Sequence, residues 1–337
     1  MGVVNRKKLN TTLSFGSAAK LETMANRSGQ PKTKVLDDAV DTLYEKKGEQ
    51  PVAQHRGIVL TMSTNKGGAG KTTSTAAFAD VLAKRGNRVL VIDTDPQGNL
   101  SIRFGYNPME MQKNYLGALI RDRMGLMKDE DGQTLHRAVQ DYIHLAKNAE
   151  RIDIMISDIR LDGDFAVMNA SNIAGTSVLR NIVRELKKLD VYDFILIDTR
   201  PTLNNEVAAA FIATDYVLIP VVPAKDSLFG ANATIQFIIQ CRQANPSLKL
   251  LGVFMTKVYD RNTSFHVVAP VINKSWPDAL FQTMIPKSQD AVNAENESLP
   301  VTTSRFANKK LAKRYELLVE EALNRMEKEA TLDGHAG

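Results

Sequence analysis

The sequence predicts an α/β fold: a doubly wound, mostly parallel sheet preceded by a small strand–helix–helix segment. Three observations predict it. The strand-like GIVLTMS (57–63), a glycine-rich turn, the helical TSTAAFADVLAKRG (73–86) and the strand-like NRVLVIDTD (87–95) follow one another directly. That order is the grammar of a parallel strand–helix–strand unit. Four more apolar runs rich in Ile, Val and Leu then alternate with helical stretches. The composition also changes at KKGEQPVAQHRG (46–57), a polar stretch broken by Gly48 and Pro51, which marks a linker. A chain of 337 residues accommodates one large or two smaller domains.

The first fifty residues carry their own pattern. LNTTLSF (9–15) alternates, with Leu9, Thr11, Leu13 and Phe15 on one face and Asn10, Thr12 and Ser14 on the other, which predicts a half-buried strand. A helical pattern follows through Ala18, Leu21, Met24 and Ala25 and stops at Gly29. Pro31 stands where a helix tolerates proline, in the first turn, and Val35, Leu36, Ala39, Val40 and Leu43 give the next helix its apolar face. This order resembles the ribbon-helix-helix DNA-binding fold. The resemblance implies a dimer whose paired strands lie in a DNA groove. Asn10, Thr12 and Ser14 would then read base edges, and Arg6, Lys7, Lys8, Lys32 and Thr33 would touch phosphates. Residues 1–36 hold seven Lys/Arg against Glu22, a net of +6, so the charge lies where DNA would. A segment this short is insecure as a monomer, which favours an obligate dimer. An oligomerisation arm or a partner-docking peptide has the same pattern.

Within the main domain the helix after the glycine turn places Ala76, Phe78, Ala79, Leu82 and Ala83 at helical spacing and ends at Gly86. The strands continue with RIDIMIS (151–157), YDFILIDT (192–199), DYVLIPVVP (215–223) and LKLLGVFMTKV (248–258). Helices are expected over 176–189, 228–244 and 308–330; residues 106–150 have no legible pattern. The expected boundaries are 1–48 for the N-terminal domain, 49–56 for the linker, 57–330 for the main domain and 331–337 for a tail.

The turn Lys66-Gly67-Gly68-Ala69-Gly70-Lys71-Thr72-Thr73 lies between a strand and a helix start. Glycines let backbone N–H groups approach phosphate oxygens, and the helix N-terminus adds partial positive charge. Lys71 suits β/γ phosphates, and the Thr72 hydroxyl suits Mg²⁺. The usual G-x-x-x-x-G-K-[ST] pattern is broken, because its first glycine position holds Asn65, next to an extra lysine, Lys66. Two apolar strands end in Asp93, Asp95 and Asp198. Such acids serve a magnesium site, although strand-end acids also act as caps or solvated turn residues.

KGGAGKTT with DTDPQGN and FILIDTRP closely resembles the ParA/MinD family of deviant Walker ATPases. The likeness extends through VLIPVVPAKDSLFGA (217–231), GVFMTKVYDRNT (252–263) and TMIPKSQDAVNAENESLPV (283–301), and DPQGN favours the ParA branch. The resemblance implies ATP and Mg²⁺ as cofactors and a P-loop NTPase fold. It implies that Lys66 reaches nucleotide across an ATP-dependent sandwich homodimer, where it offsets triphosphate charge. Lys71 would hold phosphates, Thr72, Asp93 and Asp198 would serve the metal, and Asp95 would position or activate the attacking water. Pro286 resembles the family's adenine-side loop. The chain departs from the family at Thr199-Arg200-Pro201, often Cys-Pro-Pro, and at Ala69, commonly Val.

The function so implied is an ATP-driven DNA partition protein, whose slow hydrolysis is stimulated by a centromere-binding ParB-like adaptor. An accessory protein that recruits a relaxase to a transfer origin is the alternative. The final helix carries no Trp or Phe, unlike a membrane-targeting MinD tail, and a metabolic P-loop enzyme fits Lys66 poorly. Net charge +5 admits an anionic partner. One cysteine, Cys241, excludes a disulfide framework and fits a reducing cytosol. No signal core or apolar run of membrane-spanning length is present, so the expected location is cytoplasmic and nucleoid-associated.

Overall fold

The computed structural model describes residues 57–110, 112–170, 173–259, 261–304 and 309–334. The N-terminal expectations, including Arg6, Lys7, Lys8, Asn10, Thr12, Ser14, Lys32 and Thr33, lie outside the described residues.

Seven strands form one sheet: β1 (Ile58–Met62), β2 (Val89–Asp93), β3 (His144–Leu145), β4 (Ile152–Met155), β5 (Phe194–Asp198), β6 (Tyr216–Val221) and β7 (Lys249–Met255). Their order is β3-β4-β2-β5-β1-β6-β7. Every pairing is parallel except β3 with β4. The strands are nearly continuous apolar runs because helices cover both faces of such a sheet. β2 and β5 are buried along their whole length. At β6, Val217, Ile219 and Val221 join one hydrophobic cluster while Leu218 joins the other, the two-residue period of a sheet buried on both sides.

The helices are α1 (Lys71–Lys84), α2 (Asn99–Arg103), α3 (Leu116–Arg123), α4 (Leu161–Ala170), α5 (Ile173–Lys188), α6 (Asn205–Ile212), α7 (Lys225–Cys241), α8 (Arg261–Ser275), α9 (Gln289–Asn296) and α10 (Lys309–Gly334). α1 is buried from Ser74 through Ala83. Its small residues Ala76, Ala77, Ala79 and Ala83 let a helix be enclosed without forcing its neighbours apart, and Phe78 and Leu82 fill the larger spaces. α1 stops at Gly86 (φ +94°), whose N–H donates to the Ala83 carbonyl at 2.9 Å. α10 continues to Gly334, past the expected end at 330.

The region without a legible pattern is organised by a buried acid. Asp122, at the end of α3, accepts from Tyr142 Oη at 2.7 Å and from the Arg137 N–H at 2.9 Å. It also pairs with Arg123 at 2.9 Å and lies 2.8 Å from His136 Nδ1. A polar hub of this kind fixes a loop with no periodic apolar signal to announce it.

β7 approaches its neighbours very closely at Gly252. A Cβ built there would lie 2.4 Å from the Ala279 carbonyl oxygen and 2.6 Å from the Phe281 ring. The backbone oxygen cannot rotate away, so Gly252→Ala is expected to cost about 2 kcal/mol or more of stability. Denaturant unfolding checks this: the midpoint falls while the slope stays constant. An unchanged midpoint contradicts it.

Candidate functional site

The loops that follow β1, β2, β5 and β7 converge at the carboxyl ends of their strands, where open parallel sheets bind ligands. They enclose a cavity of about 480 Å³. Gly67, Gly68, Gly70, Lys71, Thr72 and Thr73 enter it from the β1–α1 loop, Asp95 from beyond β2, and Thr199 and Pro201 from beyond β5. Thr256 and Lys257 come from beyond β7. The remaining wall includes Ile285, Pro286, Lys287 and Ser288, with Glu295 of α9 and Tyr315 of α10.

The glycine loop has the backbone that its sequence requires. Gly68 (φ +72°) and Gly70 (φ +84°) adopt left-handed conformations, and Gly70 caps α1 with no side chain over the helix end. α1 also lacks acidic residues in its first turn. Its N–H groups and positive end therefore face the cavity uncompensated by any side chain of that turn. The loop is pinned from outside. Thr256 Oγ1 donates to the Ala69 carbonyl at 2.9 Å, and the Asn65 N–H donates to Thr234 Oγ1 at 3.2 Å. Ala69 itself is buried, which favours a small residue there.

Lys71 is only 7% exposed. Its ammonium donates to the Lys66 carbonyl at 3.4 Å, a long contact. Burial pulls its pKa down, and the charges of Asp198 and Asp95 partly restore it. A desolvated cation beside an open helix N-terminus has the chemistry to receive an anion.

Asp93 and Asp198 stand opposite each other in the parallel register of β2 and β5. Thr72 Oγ1 donates to Asp198 Oδ2 at 2.7 Å and Thr75 Oγ1 to Asp198 Oδ1 at 3.3 Å. Asp93 is more deeply engaged, accepting from Ser101 N–H and Oγ, both at 2.8 Å, and from the Asp95 N–H at 3.1 Å. Burial, then the charge of Asp198, pushes the Asp93 carboxyl up to about 8. Burial, opposed chiefly by the Thr72 hydrogen bond and by Lys71, leaves Asp198 raised to about 6. Asp95 lines the cavity half-buried, with Oδ1 accepting from the Gln97 N–H at 3.1 Å.

The structure thus brings Gly67, Gly68, Gly70, Lys71, Thr72, Thr73, Asp95 and Pro286 into the wall of one cavity, with Asp198 behind Thr72 and Asp93 opposite Asp198 in the neighbouring strand. Lys66 is not part of that wall; its ammonium lies 3.8 Å from Asp226 Oδ2. Sequence reasoning missed Arg103, Thr256, Lys257, Lys287, Glu295 and Tyr315, which also line the cavity. Thr256, Lys257, Lys287 and Glu295 lie within motifs already singled out; Arg103 and Tyr315 have no local signal. Cys241 is buried and its thiol is pushed up to about 11 by that burial, which keeps it unreactive. Arg200, at the departure from the family pattern, bridges Asp162 at 2.6 Å and Glu206 at 3.0 Å.

A family model described as an AAA domain matches residues 57–250. A ParA family protein of Mycoplasma pneumoniae is 30% identical over 278 residues, which cover 79% of this chain and 97% of that protein. The chain belongs to the ParA family of P-loop ATPases. Another ParA-family relative, the chromosome partitioning protein ParA of Caulobacter vibrioides, is 28% identical over 72% of this chain and 85% of its own length. Apo McdA from Cyanothece, at 23% identity, superposes with a TM-score of 0.65 over 79% of this chain and 99% of that one, so the ParA-type fold is common to both.

Proposed function

We propose that this ParA-family ATPase is a DNA partition protein that works as an ATP-dependent homodimer. The observation that carries the reading is the Thr72–Asp198 contact at 2.7 Å beside desolvated Lys71. It joins residues 126 positions apart into a hydroxyl–carboxylate pair at the mouth of an uncapped helix. Among the described residues no group of three or more His, Cys, Asp or Glu side chains could hold a metal. That fits Mg²⁺, which keeps waters and binds through few protein ligands together with phosphates. Thr72 would ligate it, with Asp198 and Asp93 behind. The ion would neutralise charge on the phosphate oxygens. Lys71 holds the phosphates, Pro286 faces the base, and Asp95 orients the attacking water. Two structural neighbours agree in kind: a McdA variant from Cyanothece is in complex with ATP, and MinD from Pyrococcus horikoshii with Mg-ADP.

Lys66 supports the dimer. Its side chain is 36% exposed and leans on Asp226 rather than on its own cavity, so it is available to the nucleotide of a second copy. The ATP dimer binds DNA nonspecifically, and a centromere-binding ParB-like adaptor stimulates hydrolysis and release. Residues 1–48 add site-specific DNA binding through a ribbon dimer. None of the described helices is long and apolar enough to cross a membrane. A plasmid partition protein of Borrelia burgdorferi has the same fold, at 22% identity and a TM-score of 0.58 over 80% of this chain and 98% of that one.

The test is DNA binding at fixed salt, with and without ATP and Mg²⁺, by the full chain and by residues 57–337. DNA from upstream of the gene is compared with random DNA. Two modes are expected: sequence preference without nucleotide in the full chain alone, and ATP-dependent nonspecific binding in both. Failure of either protein to bind random DNA with ATP overturns the partition reading.

The raised carboxyls give a pH prediction. Near pH 7 Asp93 still carries its proton, and a divalent cation favours the ionised form. Binding of Mg²⁺ with nucleotide therefore releases protons, and affinity rises with pH until about 8, then levels. Calorimetric titrations in two buffers of different ionisation enthalpy measure the release. Asp93→Asn is expected to lose it, which separates it from the nucleotide's own titration; equal release by both proteins refutes the assignment.

A further inference from the structure

We propose that Arg103 is a nucleotide-binding residue of this chain, its guanidinium meeting the phosphate nearest the sugar beside Thr73. The assignment rests on the reading of the cavity as a nucleotide site. Arg103 lies at the C-terminal end of α2, eight residues after Asp95, and is only 4% exposed. Even so it lines the cavity together with Thr73 and Glu295.

Its partners leave it unbalanced. Nη1 donates to the Leu299 carbonyl at 3.0 Å and Nη2 to Thr73 Oγ1 at 3.3 Å, both neutral acceptors. The carboxylate of Glu295 forms an ion pair with Nη2 at 3.6 Å, longer than a hydrogen bond, and that side chain is 68% exposed. A guanidinium presents five donors in a planar fork, matched to carboxylate or phosphate. Burying such a charge against neutral groups and one solvated acid is costly. Burial accordingly outweighs the opposing influence of Glu295, Tyr315 and Asp198 and pulls the guanidinium pKa down.

The position tells which anion the charge awaits. Lys71 and Thr72 occupy the end of the loop suited to terminal phosphates and metal. Ile285, Pro286 and Ser288 also line the cavity, in the segment to which the proposed function assigns the base. Thr73 follows Thr72 directly in α1, and Arg103 donates to its hydroxyl. The backbone of Arg103 is held in place, because its carbonyl accepts from Asn148 Nδ2 at 2.8 Å. A fixed, desolvated cation at this point needs no rearrangement to receive a phosphate oxygen.

The alternative is a purely mechanical role, in which Arg103 ties the Leu299 turn to α1 and so shapes the base wall. Ligands that share the base but differ in phosphates separate the two. ADP, AMP and adenosine are titrated against a fluorescent ATP analogue bound to the full chain, to Arg103→Gln and to Arg103→Lys. Arg103→Gln is expected to weaken ADP and AMP on the order of tenfold or more. Adenosine should stay within about twofold, and Arg103→Lys should recover part of the loss. The apo melting temperature of Arg103→Gln should not fall, since the charge it removes was poorly paired. Unchanged ADP and AMP affinities overturn the assignment. So does an equal loss for adenosine, which would make Arg103 a strut for the base wall. A wild-type chain that binds none of these ligands overturns the nucleotide reading itself.

Discussion

Lys71→Ala is expected to abolish measurable MgATP binding while leaving the fold intact. The ammonium is desolvated among the loop, Asp198 and Asp95, and its hydrogen bond to the Lys66 carbonyl is long at 3.4 Å. Its energetic return therefore comes when a phosphate arrives. Removing one partner of a desolvated charge pair typically costs about 2–5 kcal/mol, which is roughly 30-fold to several thousand-fold in affinity. Stability should respond differently. The lysine pKa is depressed in the folded chain, so folding disfavours its charged form, and its loss removes a strain as well as some packing. The expected result is a melting temperature within a few degrees of wild type in the apo state, with no upward shift on adding MgATP. Lys71→Arg should fail as well, because a larger planar head does not fit a site where the lysine is 7% exposed. MgATP stabilisation that survives in Lys71→Ala would mean that the cavity does not hold phosphates at the α1 end.

The contrast between Lys71 and Arg103 shows where sequence carries information about this site. Lys71, Thr72 and the glycines are contiguous, and the chemistry of phosphate binding dictates their spacing. Asp93 and Asp198 are legible for another reason: a strand buried on both faces reads as an apolar run, so an acid at its end stands out. Arg103, Glu295 and Tyr315 come from α2, α9 and α10 and meet only in the folded chain. No local period or spacing predicts that meeting. The same logic divides the fold. The seven-stranded sheet was legible except for β3, two residues whose antiparallel pairing depends on a neighbour and not on their own pattern. Six of the ten described helices went unread, α2 and α3 among them because each is short. α6 is short and almost wholly apolar, so it has no amphipathic stripe, and α8 contains Pro270, which argues locally against a helix. α4 and α9 are short and mixed in character. Lys66 is the intermediate case. Its identity is visible in the sequence, and its position in a single chain, beside Asp226 and off the cavity wall, is what the proposed dimer requires.

Asp95→Asn is expected to separate ATP binding from hydrolysis. Asp95 reaches the cavity wall from the loop after β2 and lies within electrostatic range of both Lys71 and Asp198. It is the one of the three strand-end acids that opens directly on the cavity; Asp93 and Asp198 are almost fully buried and engaged by Ser101 and by Thr72. A half-exposed carboxylate in that position can accept a proton from water or hold it in line. Loss of such a group typically costs about 10²–10⁴-fold in rate. Asparagine is the informative replacement. Asp95 Oδ1 also accepts from the Gln97 N–H at 3.1 Å and shapes the turn that leads into α2. An amide oxygen preserves that bond and deletes only the charge and basicity. ATP affinity should therefore stay within about threefold of wild type, or tighten slightly, because a negative charge near the triphosphate is gone. Hydrolysis should fall by about a hundredfold or more. In the proposed cycle this variant accumulates as an ATP-bound dimer, visible as a stable larger species in size-exclusion chromatography with ATP but not with ADP. A wild-type hydrolysis rate in Asp95→Asn would remove Asp95 from the reaction. Equal losses of binding and rate would assign it to holding the nucleotide.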